Sequence, residues 1–348
     1  MQQCNAPPLA AVIMPAYNAE KTIERTVRSI LAQTMEDLML IVVNDGSTDA
    51  TGEILARLQA EDPRVNPITV PNGGPARARN IALDAVPQGT EYLAFSDADD
   101  LLAPDALEYA IDNAGDTDLV LLGFSILNPD GSEAKYFEPA ARYTPQTIGP
   151  AFGRLYKANL LNQVWGKLFR ASLVLDNALR FADYRSGEDL LFIYDCLEHA
   201  QSVAVLPACK YQYIMYPGES LITRYYDRKL DICVESDRRM EALCGRFGVS
   251  DQRDQRYMFM KSVFSCLTTL FSPHCTLTAA QKRAEIRRTV TNGRVLSRSR
   301  DVFGGTAVQA LCAVIRTKNV TLNYVTFRFV ARAGTLAPRL FTKLKHRK

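Results

Sequence analysis

Residues 9–49 read LAAVIMPAYNAEKTIERTVRSILAQTMEDLMLIVVNDGSTD. Two short apolar runs, Leu9–Met14 and Leu38–Val43, stand on either side of a segment with a different rhythm. Each run ends at turn-forming residues and reads as a buried strand. Between them, Glu20–Gln33 sets Ile23, Val27, Ile30 and Leu31 on one helical face. The alternation continues outward. Helices are expected over Asp49–Glu61, Arg77–Val86 and Pro104–Asn113, and strands over Val65–Val70, Tyr92–Phe95 and Leu119–Ile126. Repeated β-α-β order implies an α/β fold with a mostly parallel sheet and helices on both faces.

The rhythm changes after residue 126. Pro129-Asp130-Gly131-Ser132 is a turn signal suited to a hairpin. A helix is expected over Gln146–Leu161, a compact mixed segment over Trp165–Leu175, a helix over Glu188–His199 and a strand over Lys210–Tyr216. From about Lys229 onward the pattern is helical, basic and punctuated.

In a doubly wound sheet, ligands sit beyond the carboxyl ends of the strands. The polar clusters fall on those ends: residues 15–20 (PAYNAE), residues 44–49 (NDGSTD), Asn72-Gly73-Gly74 with Arg77, Arg79 and Asn80, and Asp97-Ala98-Asp99. Asp45 either helps cap the next helix or accepts the imide N–H of a uracil, with Gly46 allowing close approach and Tyr17 stacking. Asp97 and Asp99 repel one another unless a cation intervenes. Hard divalent ions take one or two carboxylates plus substrate phosphates. The alternative is a solvated acidic turn. Glu188-Asp189 opens a helix, where carboxylates favour the dipole; equally, it could supply a general base on a separate wall from the metal. No Walker-type loop and no G-x-G-x-x-G follows the first strand, which argues against a P-loop enzyme or a standard dinucleotide site.

Taken together, VIMPAYNAEKTIERTVRSILAQT, LIVVNDGSTDAT, PNGGPARARNIAL, YLAFSDADDLLAPDALE, WGKLFR and SGEDLLF resemble the family 2 glycosyltransferases, an inverting group with the GT-A fold. The resemblance covers about Leu9 to Tyr226. It implies a catalytic domain over residues 1–226, with a nucleotide-sugar half (about 9–126) and an acceptor half (about 127–226), followed by a helical basic extension over 227–348. By position, it implies that Pro15, Ala16, Tyr17, Glu20 and Asp45 hold the nucleoside. Gly74 and Arg79 then lie near the donor's phosphate and sugar. Asp97 contacts ribose or donor sugar, Asp99 binds Mg2+ or Mn2+ through the diphosphate, and Asp189 is the catalytic base. Trp165, Lys167 and Glu188 line the acceptor side. Asn44 departs from the pattern, standing where relatives often carry a second acid. The activity implied is transfer of a sugar, a hexose by default, from a UDP-sugar to a lipid-linked or oligosaccharide acceptor of bacterial exopolysaccharide or capsule synthesis. A multi-addition polymerase is an alternative, although no Q-x-x-R-W motif is present. A sugar-1-phosphate nucleotidyltransferase is another, although it usually has a Gly-rich loop after the first strand.

Composition adds a second theme. The 348 residues are 47% hydrophobic and 23% charged, with a formal net charge of +3, an ordinary globular balance. The total hides a split. Residues 1–281 hold 25 Lys/Arg and 36 Asp/Glu, whereas residues 282–348 hold 16 Lys/Arg and only Glu285 and Asp301 as acids. An anionic partner is expected near the basic end. Leu340, Phe341 and Leu344, interleaved with basic residues, and Val308, Leu311, Cys312 and Ile315 on one side of a helix suggest an anionic inner-leaflet surface. A solvated basic tail is the plain alternative, and no recognition motif supports nucleic acid. With no signal-like start, no ~20-residue apolar span and eight scattered cysteines without a C-x-x-C, a cytoplasmic protein, peripheral on the inner face of the plasma membrane, is expected. Oligomeric state is left open.

Overall fold

The computed structural model describes residues 6–184, 186–216, 225–302 and 304–336. The chain divides into two compact units, Met1–Pro217 with Arg246–Gly248, and Gly218–Gly245 with Val249–Lys348.

The first unit opens with the expected alternation: β1 (Ala10–Ala16), α1 (Ile23–Leu31), β2 (Leu38–Asp45), α2 (Thr51–Glu61), β3 (Val65–Val70), α3 (Pro75–Asp84) and β4 (Tyr92–Phe95). β1 pairs in parallel with β2 and β4, and β2 with β3. Ala10–Met14 and Leu40–Val43 are fully buried, which is why these strands read as unbroken apolar runs rather than as an alternation. The register keeps the strand ends level: Ala16 lies beside Asn44, and Asn44 beside Thr69. The loops after β1, β2 and β3 therefore leave the sheet together.

Next come β5 (Leu101–Leu102), α4 (Ala106–Asp112), β6 (Leu119–Leu127), β7 (Glu133–Tyr136), β8 (Ala141–Tyr143) and α5 (Gly149–Lys157). The turn expected at Pro129–Ser132 joins β6 to β7 as an antiparallel hairpin. The unit ends with β9 (Lys167–Arg170), α6 (Ala171–Leu175), α7 (Glu188–His199) and β10 (Val203–Ile214). The strands run in the order β3-β2-β1-β4-β9-β6-β10-β5, with β7 on β6 and β8 on β10.

β9 sits between β4 and β6 and is antiparallel to both. Its reversed direction matters. Leu168 is level with Ala94, so Lys167 and the residues before it emerge at the carboxyl end of β4, next to Ser96-Asp97. β10 is longer than the sequence pattern indicated. Its alternation is interrupted by two register shifts between Leu206 and Tyr211, and only the part after Lys210 reads as a strand.

The second unit is helical: α8 (Lys229–Arg246), α9 (Arg253–Thr269), α10 (Ala279–Thr291), α11 (Gly293–Arg298), α12 (Thr306–Arg316) and α13 (Val320–Leu336). Met260, Val263, Leu267, Ile286, Val290, Cys312, Ile315 and Phe327 form its core, each large side chain contributing ~1.5–3 kcal/mol on burial. Thr278 and Gln281 form a capping box that starts α10. The buried Asp237 carboxylate accepts from Arg294 Nε and from Arg298 Nε, the latter at 2.9 Å. Among the described residues, no helix is long and apolar enough to cross a membrane.

Candidate active site

The β1–α1 and β2–α2 loops are laced together. Asn18 N–H donates to Ser47 Oγ at 3.0 Å, and Thr48 N–H donates back to Asn18 Oδ1 at 2.8 Å. Glu20 Oε2 accepts from Ala50 N–H at 3.2 Å. Pro15 and Ala16 pair with Val43 and Asn44 in the sheet, whereas Tyr17 is 54% exposed above it. A large aromatic ring left open at a strand end can stack on a base.

Asp45 is buried, and the next loop wraps its carboxylate. Oδ1 accepts from Gly73 N–H and Oδ2 from Gly74 N–H, both at 2.8 Å, while Asn72 Nδ2 donates to the Asp45 carbonyl. This close approach explains Gly46. Its φ is +69°, and a Cβ there would lie 2.6 Å from the Asn72 backbone nitrogen. Asp45 thus organises Asn72-Gly73-Gly74, and Gly74 in turn caps the N-terminus of α3. An ionised carboxylate has about four lone-pair positions, so acceptor capacity is left over for a ligand.

Arg79, one turn into α3, joins the two walls. Nη2 donates to Asp97 Oδ1 at 2.9 Å. Nη1 donates to Asp189 Oδ1 at 2.7 Å and to Glu188 Oε1 at 3.0 Å. Phe181 lies beneath the guanidinium, 5.3 Å from Cζ to ring centre. Arg79 is 4% exposed and Glu188 9%, whereas Asp97 is 30% and Asp189 21% exposed. The first two are therefore structural anchors, and the last two can meet a substrate. Burial pulls the Arg79 pKa down, but Asp189, Asp97 and Glu188 outweigh it and hold it above the usual arginine value.

Asp189 stands at the start of α7, after Gly187 with φ of 89°. Burial raises its carboxyl pKa to about 7; Arg79 pulls it down, and Glu188 and Asp97 push it up. Lys167, on β9, is buried nearby, and burial lowers its amine to about 7 against the pull of Asp189. A carboxylate poised near neutrality is suited to taking a proton. Trp165, expected on an acceptor surface, is 8% exposed and stacks on Tyr211 and Tyr213 at 4.6 and 5.6 Å.

Asp99 differs from its neighbours. Its pKa is raised to about 6, by burial first and by Asp97 second. Its carbonyl accepts from Arg25 Nη2 at 2.9 Å and from the Tyr216 hydroxyl at 3.2 Å, which fixes the loop. Among the described residues, no group of three His, Cys, Asp or Glu could hold a metal unaided. One carboxylate fits a hard ion that takes its remaining ligands from phosphates and water.

A family model described as Glycosyl transferase family 2 matches residues 11–174, the span that carries β1 to α6. A glycosyltransferase of Haemophilus influenzae is 32% identical over 197 residues, covering 56% of this chain and 74% of its own length. The chain belongs to glycosyl transferase family 2.

Other relatives include the glycosyltransferase EpsH of Bacillus subtilis (strain 168), 30% identical over 64% of this chain, and the succinoglycan biosynthesis protein ExoW of Rhizobium meliloti (strain 1021), 31% identical over 57%. This chain spans 65% and 66% of their lengths, just under two thirds. Among solved structures, Staphylococcus aureus TarS 1-349 in complex with UDP-GlcNAc aligns over 93% of this chain and 92% of its own, with a TM-score of 0.62 and 22% identity. The shared fold is GT-A.

For this family 2 chain, one contributor escaped the sequence reading. Asp100 is fully buried, accepts from the Tyr211 hydroxyl at 2.7 Å and from Ile214 N–H at 2.9 Å, and its pKa is raised to about 8 by burial. Tyr211 Oη in turn accepts from Asp97 N–H at 3.1 Å. The signal was present: an acid directly before the apolar Leu101-Leu102 cannot be solvated and needs internal donors. Asn80, from the polar cluster that follows β3, closes a two-way pair through its side-chain amide with the Phe181 backbone at 2.9 Å, holding the ring under Arg79.

Proposed function

We propose that this chain transfers a sugar, a hexose by default, from a UDP-sugar to a growing lipid-linked or oligosaccharide acceptor of bacterial exopolysaccharide or capsule, with inversion at the anomeric carbon. The observation that carries the reading is the Arg79 bridge, which ties Asp97 on the donor wall to Asp189 on the opposite wall. Family membership and the succinoglycan role in ExoW's name support the substrate class.

In this reading Pro15, Ala16, Tyr17, Glu20 and Asp45 receive the nucleoside, and Gly74 and the N-terminus of α3 face the donor. Asp97 meets ribose or donor sugar. The acceptor hydroxyl oxygen attacks the anomeric carbon from the face opposite the diphosphate. The new C–O bond forms as the bond to the β-phosphate oxygen breaks, and its electron pair leaves with UDP. Asp189 takes the hydroxyl proton, a step typically worth ~10²–10⁴-fold. One displacement inverts the centre, and no covalent enzyme intermediate arises. Asp99 would hold Mg2+ or Mn2+, which supplies positive charge to the leaving diphosphate. Arg79 acts from behind by orienting Asp97 and Asp189. Trp165, Lys167 and Glu188, all buried, support the acceptor wall from behind. The reaction belongs at the inner face of the plasma membrane, where the basic second unit meets anionic lipid.

The test is UDP release from a panel of UDP-hexoses with purified chain, acceptor and Mn2+, followed by proton NMR of the new linkage. UDP release with an inverted anomeric centre is expected. Nucleotide-sugar synthesis from a sugar-1-phosphate and UTP, or retention at the anomeric carbon, would overturn the reading.

A further inference from the structure

Helix α13 carries an apolar stripe that the fold does not bury. Among the described residues, seven large hydrophobic side chains are exposed, and three of them lie here: Leu322 at 43%, Val325 at 60% and Phe329 at 71%. Their spacing of three and then four residues puts them on one helical face. The opposite face holds Asn323 and Phe327, both fully buried, so the helix already has its core contact. The outward stripe is therefore additional to what folding requires. By contrast, the stripe expected on α12 is core: Cys312 and Ile315 are fully buried, with Val308 and Leu311 packed beside them. Leu340, Phe341 and Leu344 lie outside the described residues.

The surroundings of the outward stripe are cationic. Arg328 and Arg332 are exposed beside it. From α10, Arg283 Nη1 donates to Thr321 Oγ1 at 3.2 Å and its guanidinium lies over Tyr324 at 4.7 Å. No acid occurs in the sequence after Asp301, against nine Lys/Arg. A second copy placed on this face would set arginine against arginine, because a two-fold interface is self-facing. Exposed aromatic and aliphatic side chains rimmed by arginine match the boundary between anionic headgroups and acyl chains.

We propose that the Leu322–Val325–Phe329 face of α13, with Arg283, Arg328 and Arg332, is a docking surface for an anionic phospholipid bilayer. This deepens the membrane part of the proposed function. It rests on that reading only for where the acceptor lies, since lipid binding is measured without any sugar transfer.

The experiment is flotation of the full chain with phosphatidylcholine vesicles, with and without phosphatidylglycerol. The chain is expected to float only with the anionic vesicles and to be released by salt. Val325→Ser with Phe329→Ser should weaken binding at least about tenfold, from the lost apolar insertion. Arg328→Glu with Arg332→Glu should weaken it by a similar factor. In both variants UDP release should persist with a soluble acceptor, which separates this test from that of the catalytic reading. As a readout in folded protein, Phe329→Trp should show a blue-shifted emission on anionic vesicles. Four results would overturn the proposal: no binding of the unmodified chain, no blue shift, a dimer that dissociates when Phe329 is replaced, or binding that ignores Phe329 but vanishes on removal of residues 337–348.

Discussion

Arg79 Nη1 stands 2.7 Å from Asp189 Oδ1, while the other arm of the same guanidinium holds Asp97. One buried cation therefore restrains carboxylates from two distant parts of the chain. Removing it leaves three acids facing one another. Arg79→Met should lower stability by about 3–5 kcal/mol, the usual cost of stranding a buried charge. Urea denaturation measures it. Stability equal to that of the unmodified protein would mean the carboxylates do not depend on the bridge.

Asp189→Asn keeps the shape and a hydrogen-bonding oxygen but cannot accept the proton. Transfer should fall by ~10²–10⁴-fold, while UDP-sugar binding by calorimetry stays near its original strength. Full transfer in this variant would remove Asp189 from the mechanism.

With Asp189 as the proposed base, transfer acquires a pH dependence. The Asp189 pKa lies at about 7, above its ordinary value of 3.8, with burial as the main cause. The base form is lost as pH falls, so kcat/KM should decline below about pH 7. Stability runs the other way. The folded state keeps a proton that the unfolded chain releases, so this contribution is full below the ordinary value and is lost as pH rises through about 7. Lys167→Met removes a positive neighbour that lowers the Asp189 pKa, so the acid limb of the profile should move to higher pH. An unmoved limb would show that the limb belongs to another group.

Much of this was legible in the sequence, because strands buried on both faces leave unbroken apolar runs and polar clusters mark where they end. β1 to β4 and the helices between them follow directly from that pattern. β9 was less visible. Its four residues, Lys167–Arg170, are too few to show a period, and their place is set by partners far away in sequence. The candidate acids were legible as residue types at strand ends, but their connections were not. Nothing local to Arg79 indicates that Glu188 and Asp189, more than a hundred residues away, supply its counter-charges. Trp165 likewise is expected on the acceptor side from the family resemblance, and only the fold shows Tyr211 and Tyr213 covering it.

In the proposed mechanism Asp99 is the carboxylate that would meet a cation. Chelation of divalent ions should abolish transfer and Mn2+ or Mg2+ should restore it, whereas Asp99→Ala should be inactive with or without added metal. UDP release assays after EDTA treatment decide this. Undiminished activity in EDTA would mean that Asp99 has another task and that protein groups alone neutralise the leaving diphosphate.

Tyr211 offers the last test, because its hydroxyl is a relay. It accepts from Asp97 N–H and donates to Asp100 Oδ2, which ties the acidic loop to β10. Tyr211→Phe preserves the ring stacked on Trp165 and removes only the oxygen. A partly buried N–H and a buried carboxyl oxygen then each lose a partner, for about 1–3 kcal/mol. Asp100→Asn retains an acceptor for Ile214 N–H and should cost less. In combination the two substitutions should fall short of their sum, because each breaks the same bond. Denaturation of the single and double variants supplies the cycle. If the costs simply add, the two side chains act separately. If they couple, the loop bearing Asp97 and Asp99 is held in place from β10, and transfer should fall in Tyr211→Phe although the substituted atom touches no substrate.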